Sequence, residues 1–274
     1  MAAKRFNVLP GFGLTMGITL FFLSAVVLFP FAGLIIRTLG ISWGEFWKLA
    51  TNARALAAYR LTFLASLGAA LANAVFGTLL AWVLVRYEFP GRRFLDAMVD
   101  FPFALPTAVA GLTLANLFSK NGWLGWFLVP HGIEGAYTQL GVVIALTFVG
   151  MPFVVRTLQP VIESLERDVE EAAATLGAGR LRTFASVIAP SLLPAILTGF
   201  SLAFARAIGE CGSIVFISGN VPFHTEIAPQ LVVVRLEQYD YAGAIALAVV
   251  LLVFAFVLLA AVNLLEQWAS RIQN

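Results

Sequence analysis

Long uncharged runs alternate with short polar breaks along this chain. Six runs stand out: Gly11–Ile36, Leu61–Val85, Phe101–Ser119, Gly135–Val155, Thr183–Ala205 and Tyr241–Leu265. Each is close to the roughly 20 apolar residues that a helix needs to cross a bilayer. They are continuously apolar and lack the alternation of a barrel strand, so helices are the spanning form they predict. A further uncharged run, Cys211–Thr225, is shorter and contains Gly212, Gly219 and Pro222. It is expected to extend the fifth helix and then turn outside. The pattern predicts an all-α membrane protein with six transmembrane helices. No low-complexity linker divides it, so one membrane domain over 1–274 is expected.

Composition agrees. The chain is 60% hydrophobic and 12% charged, against about 25% charged in soluble globular proteins; its mean hydropathy is +0.91. A net charge of +2 gives no footing for nucleic acid. The single Cys211 excludes an internal disulfide and supplies no metal set. His131 and His224 are isolated in expected outer loops. Lys4 and Arg5 precede an apolar run longer than the roughly 7–15 residues of a signal-peptide core, so an uncleaved anchor is expected. The Lys and Arg bias points to cytoplasmic N- and C-termini. The inner set is Lys4, Arg5, Arg86, Arg92, Arg93, Arg156, Arg167, Arg180, Arg182 and Arg271; the outer set is Arg37, Lys48, Arg54, Arg60, Lys120 and Arg235. Trp43, Trp47, Trp123, Trp126 and Trp268 fall near the expected interfaces, and Trp82 within a span. Ser42–Tyr59 reads as an amphipathic outer-surface helix. Its Lys48 and Arg54, with Arg60 beyond, would meet either an acidic docking face or lipid headgroups.

The most informative polar break is Glu163–Pro190, on the cytoplasmic side in this topology. Ser164 or Asp168 can cap a helix through Glu170, Glu171, Ala172, Ala173, Ala174 and Leu176, with carboxylates crowded into its first turns. Three alanines give high helix propensity and a thin profile that a partner can approach closely. Gly177 is placed for a left-handed cap, Gly179 adds a second permissive position, and a short basic helix comes next through Arg180 and Arg182. Pro190 is expected to stop or bend the chain as it enters the fifth span. A structured loop of this kind predicts docking to another protein.

Within the spans, Arg206 and Glu210 are four residues apart on one face of the fifth helix. Charge at membrane depth faces a protein interior or a water-filled path. Two readings stand: a pair that locks two helices, or an Arg206 that passes an oxyanion while Glu210 holds its side chain. Pro102 and Pro106, followed by Thr107, predict a kinked or broken third segment, either lining a path or serving packing alone. Asp96 and Asp100 precede the break and would cap it or pair with Arg92 or Arg93. The only lysines are Lys4, Lys48 and Lys120, and no phosphate-binding Gly-x-x-x-x-Gly-Lys-Ser/Thr loop occurs, so this chain is not expected to hydrolyse ATP itself.

Glu171-Ala-Ala, Gly177 six residues on, and Ile188-Ala-Pro190 together resemble the EAA signature of permease subunits of bacterial ABC importers. The resemblance implies a type I importer permease fold. It also implies a coupling helix at about 160–190, in which Glu171, Ala172, Ala173, Gly177, Arg180, Ile188 and Pro190 engage an ATP-hydrolysing subunit. Asp100-Phe-Pro-Phe-Ala-Leu-Pro-Thr-Ala-Val-Ala-Gly111, Phe148-Val-Gly-Met-Pro-Phe-Val-Val-Arg156, Leu202-Ala-Phe-Ala-Arg-Ala-Ile-Gly-Glu210, Gly219-Asn220 and Leu236-Glu-Gln-Tyr-Asp-Tyr-Ala-Gly243 resemble the sulfate/thiosulfate permeases, T-type (U-type) subunit. Implied partners are a homologous W-type permease, two ATPase subunits carrying ATP and Mg, and a periplasmic sulfate-binding protein, in the bacterial inner membrane. Pro102, Pro106, Thr107, Arg206 and Glu210 are candidates for the path. Molybdate permeases share the Ala-Arg-Ala-x-Gly-Glu element, so molybdate or tungstate is the alternative cargo. A stand-alone proton-coupled transporter is a further alternative, opposed by the scarcity of intramembrane titratable groups. No catalytic constellation supports a membrane-embedded enzyme.

Overall fold

The computed structural model describes residues 12–272, with the side chains of Arg167, Val169, Ala174, Asn263 and 265–272 excepted. Lys4 and Arg5, and the side chains of Arg167, Trp268 and Arg271, therefore lie outside the described residues. Among the described residues, five helices are long and apolar enough to cross a membrane. They are α1 (Phe12–Leu39), α3 (Ala53–Arg86), α8 (Gln139–Ser164), α10 (Arg180–Ile208) and the apolar part, Tyr241–Val262, of α13 (Tyr241–Ile272). Most overrun the charge-free runs that announce them. An uncharged run marks what sits in hydrocarbon, whereas a helix continues until its backbone is capped. Thus α3 starts at Ala53 because the Asn52 side chain accepts from the Ala55 N–H at 2.9 Å. Likewise α8 starts at Gln139 under a Thr138 cap.

The expected Ser42–Tyr59 surface helix is accordingly shorter. Only α2 (Trp43–Ala50), capped by Ser42 on the Glu45 N–H, is separate; Ala53–Tyr59 forms the first turns of α3. Phe46 and Ala50 of α2 pack on Ala246 of α13.

The third expected segment is broken, as its prolines imply. Helix α4 (Arg92–Val99) leads into the single turn α5 (Phe101–Ala104), and α6 (Thr107–Phe118) resumes after extended Leu105 and Pro106. Pro102 sits in the first turn of α5, where its missing N–H is tolerated, while Pro106 forces Leu105 to ψ 134° and starts a new helix. A short helix α7 (Trp123–Leu128) comes next.

Two prolines in long helices leave the same mark. A π-helical turn covers Ser24–Leu28 before Pro30 and Phe184–Ile188 before Pro190. Widening the turn relieves the clash of each ring with the carbonyl four residues back. Pro190 therefore does not stop the helix, and α10 runs unbroken from Arg180 to Ile208.

Helices α3, α8 and α10 form the centre. They share one apolar cluster containing Leu84, Val154, Val155, Leu158, Ile162, Ile188 and Leu192. A second cluster, with Ala65, Ala69, Val142, Leu146, Ala207, Ile214 and Ile227, lies toward the other face. Close approach requires small residues: a Cβ on Gly199 would lie 3.0 Å from the Val154 backbone. Helix α1 has no buried residue and leans on α13, with the Phe31 and Phe256 rings 6.5 Å apart.

Candidate functional site

The first part of the polar break folds as the sequence pattern predicts, into helix α9 (Arg167–Thr175), whereas the short basic helix expected after it is the first turn of α10. Neither expected cap holds: Ser164 closes α8, and Asp168 lies inside the first turn of α9. At the other end Gly177 takes φ +80°, and the Ala178 N–H reaches the Ala173 carbonyl at 3.0 Å, a Schellman closure. Gly179 has φ −71°, so the second permissive position is not used.

Glu171, Ala172, Gly177 and Arg180 are exposed, and Ala173 is half-buried. Pro190 is also exposed, whereas Ile188 is buried in the central cluster. The motif thus divides into a presented helix and a buried anchor. Two residues outside the signature are the most prominent here: Leu176 is 88% exposed and Leu181 86%, flanking the Gly177 turn. A leucine on either side of a helix-ending glycine within a polar loop is the sequence signal that identifies such a pair.

Arg86, which the charge pattern marks only as an inner-loop cation, is the last residue of α3 and reaches α9. Its Nη2 lies 2.9 Å from Glu170 Oε1 and donates to the Leu165 carbonyl at 3.2 Å. Its guanidinium sits over the Trp82 ring, 5.2 Å from the centroid, and Trp82 meets Phe184 edge-on.

The path candidates also converge. Helix α10 ends at Ile208, so Glu210 lies on the turn after it rather than within it. Its Oε2 pairs with Arg206 Nη1 at 2.5 Å. Its Oε1 accepts from the Ser213 N–H at 3.0 Å and the Ser213 hydroxyl at 3.1 Å, satisfying the start of α11 (Gly212–Ser218). The expected extension of the fifth helix is therefore a separate helix, broken at Gly209–Cys211 and restarted under the Glu210 carboxylate. Glu210 is buried at 2%, whereas the Arg206 side chain is 35% exposed. Helix α11 packs tightly on α6: a Cβ on Gly212 would strike Thr107 Oγ1, and one on Gly111 the Ser213 backbone. Thr107 and the Arg206–Glu210 pair thus meet around one break, with Pro106 next in chain. Pro102 lies one short helix away, at the start of α5.

Two ion-pair expectations need correction. Asp96 and Asp100 pair with Arg156 of α8 rather than Arg92 or Arg93. Arg156 Nη1 reaches Asp96 Oδ1 at 2.7 Å, and its Nε and Nη2 reach the two Asp100 oxygens at 2.8 and 2.6 Å. Gln159 donates to Asp96 Oδ1 at 2.8 Å. That bond and those from Arg156 hold the Asp96 carboxyl below its ordinary range, against partial desolvation. The second is Arg54, which is engaged within the chain. It forms a bidentate pair with Glu226, 2.7 Å at both oxygens, and the Glu226 side chain is 1% exposed. Lys48 and Arg60 are not engaged in this pair, and both are exposed. Among the described residues no His, Cys, Asp and Glu group could hold a metal.

Residues 73–271 match the model of a family described as binding-protein-dependent transport system inner membrane component. "Sulfate transport system permease protein CysT" of Salmonella typhimurium is 47% identical over 99% of this chain and 98% of its own. "Probable sulfate transport system permease protein cysT" of Nephroselmis olivacea is 52% identical over 91% and 88%. Among solved structures, a bacterial ABC transporter involved in the import of the acidic polysaccharide alginate aligns with TM-score 0.77 at 17% identity, covering 93% of this chain and 94% of that one. The MetNI methionine ABC transporter aligns at 0.57 and 16%, covering 84% and 99%. This chain belongs to the inner membrane components of binding-protein-dependent transport systems, as a multi-pass permease subunit of an ABC importer.

Proposed function

We propose that the cargo is sulfate and thiosulfate, and that the chain works with a homologous W-type permease, two ATPase subunits and a periplasmic sulfate-binding protein. The observation that carries the cargo is the 47–52% identity over nearly the whole chain to relatives named as sulfate permeases. On this reading both termini and α9 are cytoplasmic, ATP and Mg belong to the partner subunits, and this chain binds no nucleotide or cofactor of its own.

Helix α9, with Leu176 and Leu181, docks on the ATPase subunit through Glu171, Ala172, Ala173, Gly177 and Arg180. Ile188 anchors the following helix in the core, and Pro190 is absorbed by the π turn. Helix α10 then runs unbroken from Arg180, beside the docking turn, to Ile208, beside the Arg206–Glu210 break. A continuous helix of 29 residues is about 43 Å long, so it can carry a displacement of α9 to the α6–α11 contact. Glu210 holds Arg206 and caps α11; Arg206, with Pro102, Pro106 and Thr107, borders the path of the oxyanion. Coupling requires that nucleotide bind the two permease states with different affinity.

The test is ATP-driven uptake of radiolabelled sulfate into vesicles holding the whole complex, with and without this chain. Uptake that needs this chain and ATP, and is blocked by thiosulfate but not molybdate, is expected. Preferred uptake of molybdate would replace the cargo, and uptake without ATP would overturn the importer mechanism.

A further inference from the structure

We propose that Arg86 is a positioning residue for coupling, fastening the docking helix α9 to the cytoplasmic end of α3. The inference rests on the reading of α9 as the docking element. Three segments converge on the last turn of α3. Leu165, before α9, accepts from Arg86 Nη2 at 3.2 Å. Glu170, within α9, lies 2.9 Å from the same nitrogen. Phe184, beyond α9, meets Trp82, whose ring lies under the Arg86 guanidinium. One side chain and the ring beneath it thus touch the entry, the body and the exit of the docking segment.

Among the described side chains of α9 and the turn after it, Glu171, Ala172, Thr175, Leu176 and Gly177 are exposed, and α9 packs against the first turn of α10. The Arg86 side chain is 12% exposed and that of Glu170 33%, so the pair is sheltered without being sealed. Its geometry is that of a fastening that can open. Arg86 Nε is buried without an acceptor, and Glu170 Oε1, though close, accepts no aligned hydrogen bond. A fork–fork pair would use both nitrogens; here one nitrogen serves two acceptors. When α9 is displaced, α3 therefore feels the motion as well as α10, and α3 lines the central cluster with Ala81 and Leu84. The pair gives the ATPase a second route into the membrane core.

The test compares Arg86→Gln, Glu170→Gln and the double variant in the whole complex reconstituted in vesicles. It measures radiolabelled sulfate transported per ATP hydrolysed, with co-purification of the ATPase subunits as the assembly control. Assembly is expected to persist, while transport per ATP falls about fivefold in each single variant. The double variant should fall no further, because both changes remove one interaction. Arg86→Lys, which keeps the charge, should recover part of the ratio. An unchanged ratio in the single variants, or additive losses in the double, would overturn the proposal. Leu176→Asp separates the two levels. If it leaves ATPase binding intact, the docking reading itself fails. If it abolishes binding while Arg86→Gln keeps a normal ratio, only the fastening fails.

Discussion

Helix α3 ends in an ion pair at both of its tips, and the two are built differently. At the α2 end Arg54 grips Glu226 with two nitrogens on two oxygens, each at 2.7 Å, and Glu226 is almost fully buried. At the α9 end Arg86 meets Glu170 through one nitrogen, with its Nε unused. The helix has 34 residues and is about 50 Å long, well beyond the roughly 30 Å of hydrocarbon it crosses. Both pairs therefore lie at or outside the edges of the apolar slab, so depth does not explain the contrast. What differs is what each pair holds. Arg54 ties α3 to the segment before α12 (Ala228–Glu237), where the Ala228 N–H also donates to Thr62 Oγ1 at 2.8 Å. Arg86 ties α3 to α9, the helix proposed to dock on the ATPase subunit. The Arg54 joint is bidentate on a dry carboxylate, although its arginine is more exposed than Arg86 (24% against 12%); on the docking role proposed for α9 it is the static joint, and the single contact to the half-wet Glu170 is the moving one.

The largest expected effect comes from breaking the static joint. Arg54→Ala leaves the Glu226 carboxylate buried and unpaired, which costs about 3–5 kcal/mol. Thermal unfolding of the purified complex should show a strongly lowered midpoint, and Arg54→Leu with Glu226→Leu should recover most of it. A midpoint unchanged in Arg54→Ala would mean that the pair does not join these segments. Next in size is Gly111→Ala. Its methyl has no room against the Ser213 backbone, so α6 and α11 must separate, at about 1–3 kcal/mol. Glu210→Ala removes the side-chain cap of α11, about 1 kcal/mol, and frees Arg206. Glu210→Gln keeps an acceptor for the Ser213 N–H, so it should unfold like the parent while changing sulfate uptake. Uptake equal to the parent's in Glu210→Gln would assign the pair to packing alone. Arg86→Gln should cost under about 1 kcal/mol, as partly exposed pairs do, and its unfolding midpoint sharpens the contrast with Arg54→Ala directly.

The contrast was half legible in the sequence. The spans, the break at Pro106 and the helix ending at Gly177 come from local chemistry: apolar runs, a missing N–H and a position that favours positive φ. So does the convergence of Glu210 and Arg206, which are close in sequence. The partners of Arg54, Arg86, Asp96 and Asp100 were not legible. Arg54 and Glu226 are separated by 172 residues, and Asp100 and Arg156 by 56; no local pattern links them. Charge counting placed Arg54, Arg86 and Arg156 on a side of the membrane without saying what each would touch. The separate α11 was hidden for a related reason. A carboxylate that would restart a helix is invisible until the chain has turned at Gly209. Of the two outcomes that local rules allow at Pro190, a stop or a bend, the stop is ruled out because a π turn absorbs the ring.

The smallest expected effect concerns a third joint, intermediate in construction, in which Arg156 holds Asp96 and Asp100 and so clamps α4 to α8. Here Arg156 uses all three nitrogens, one more than Arg54 at the static joint, yet both carboxylates are partly exposed, as at the moving one. Gln159 and Arg156 depress the Asp96 carboxyl below its ordinary range. A depressed folded-state value means that the stabilisation is fully present above the unfolded carboxyl value, near pH 4, and is lost as pH falls through the folded one. Hydrogen exchange of the α4 amides, corrected for intrinsic rates, should therefore be flat from about pH 8 to about pH 5 and rise only in stronger acid. Asp96→Asn, neutral at every pH, should reduce that acid rise. A rise already present near pH 6 would mean that a group other than Asp96 controls the clamp, and Glu163, which shares a cavity with Asp96 and Arg156, would be the next to replace. A flat profile would place this joint with the static one, because its charges are then fixed at working pH.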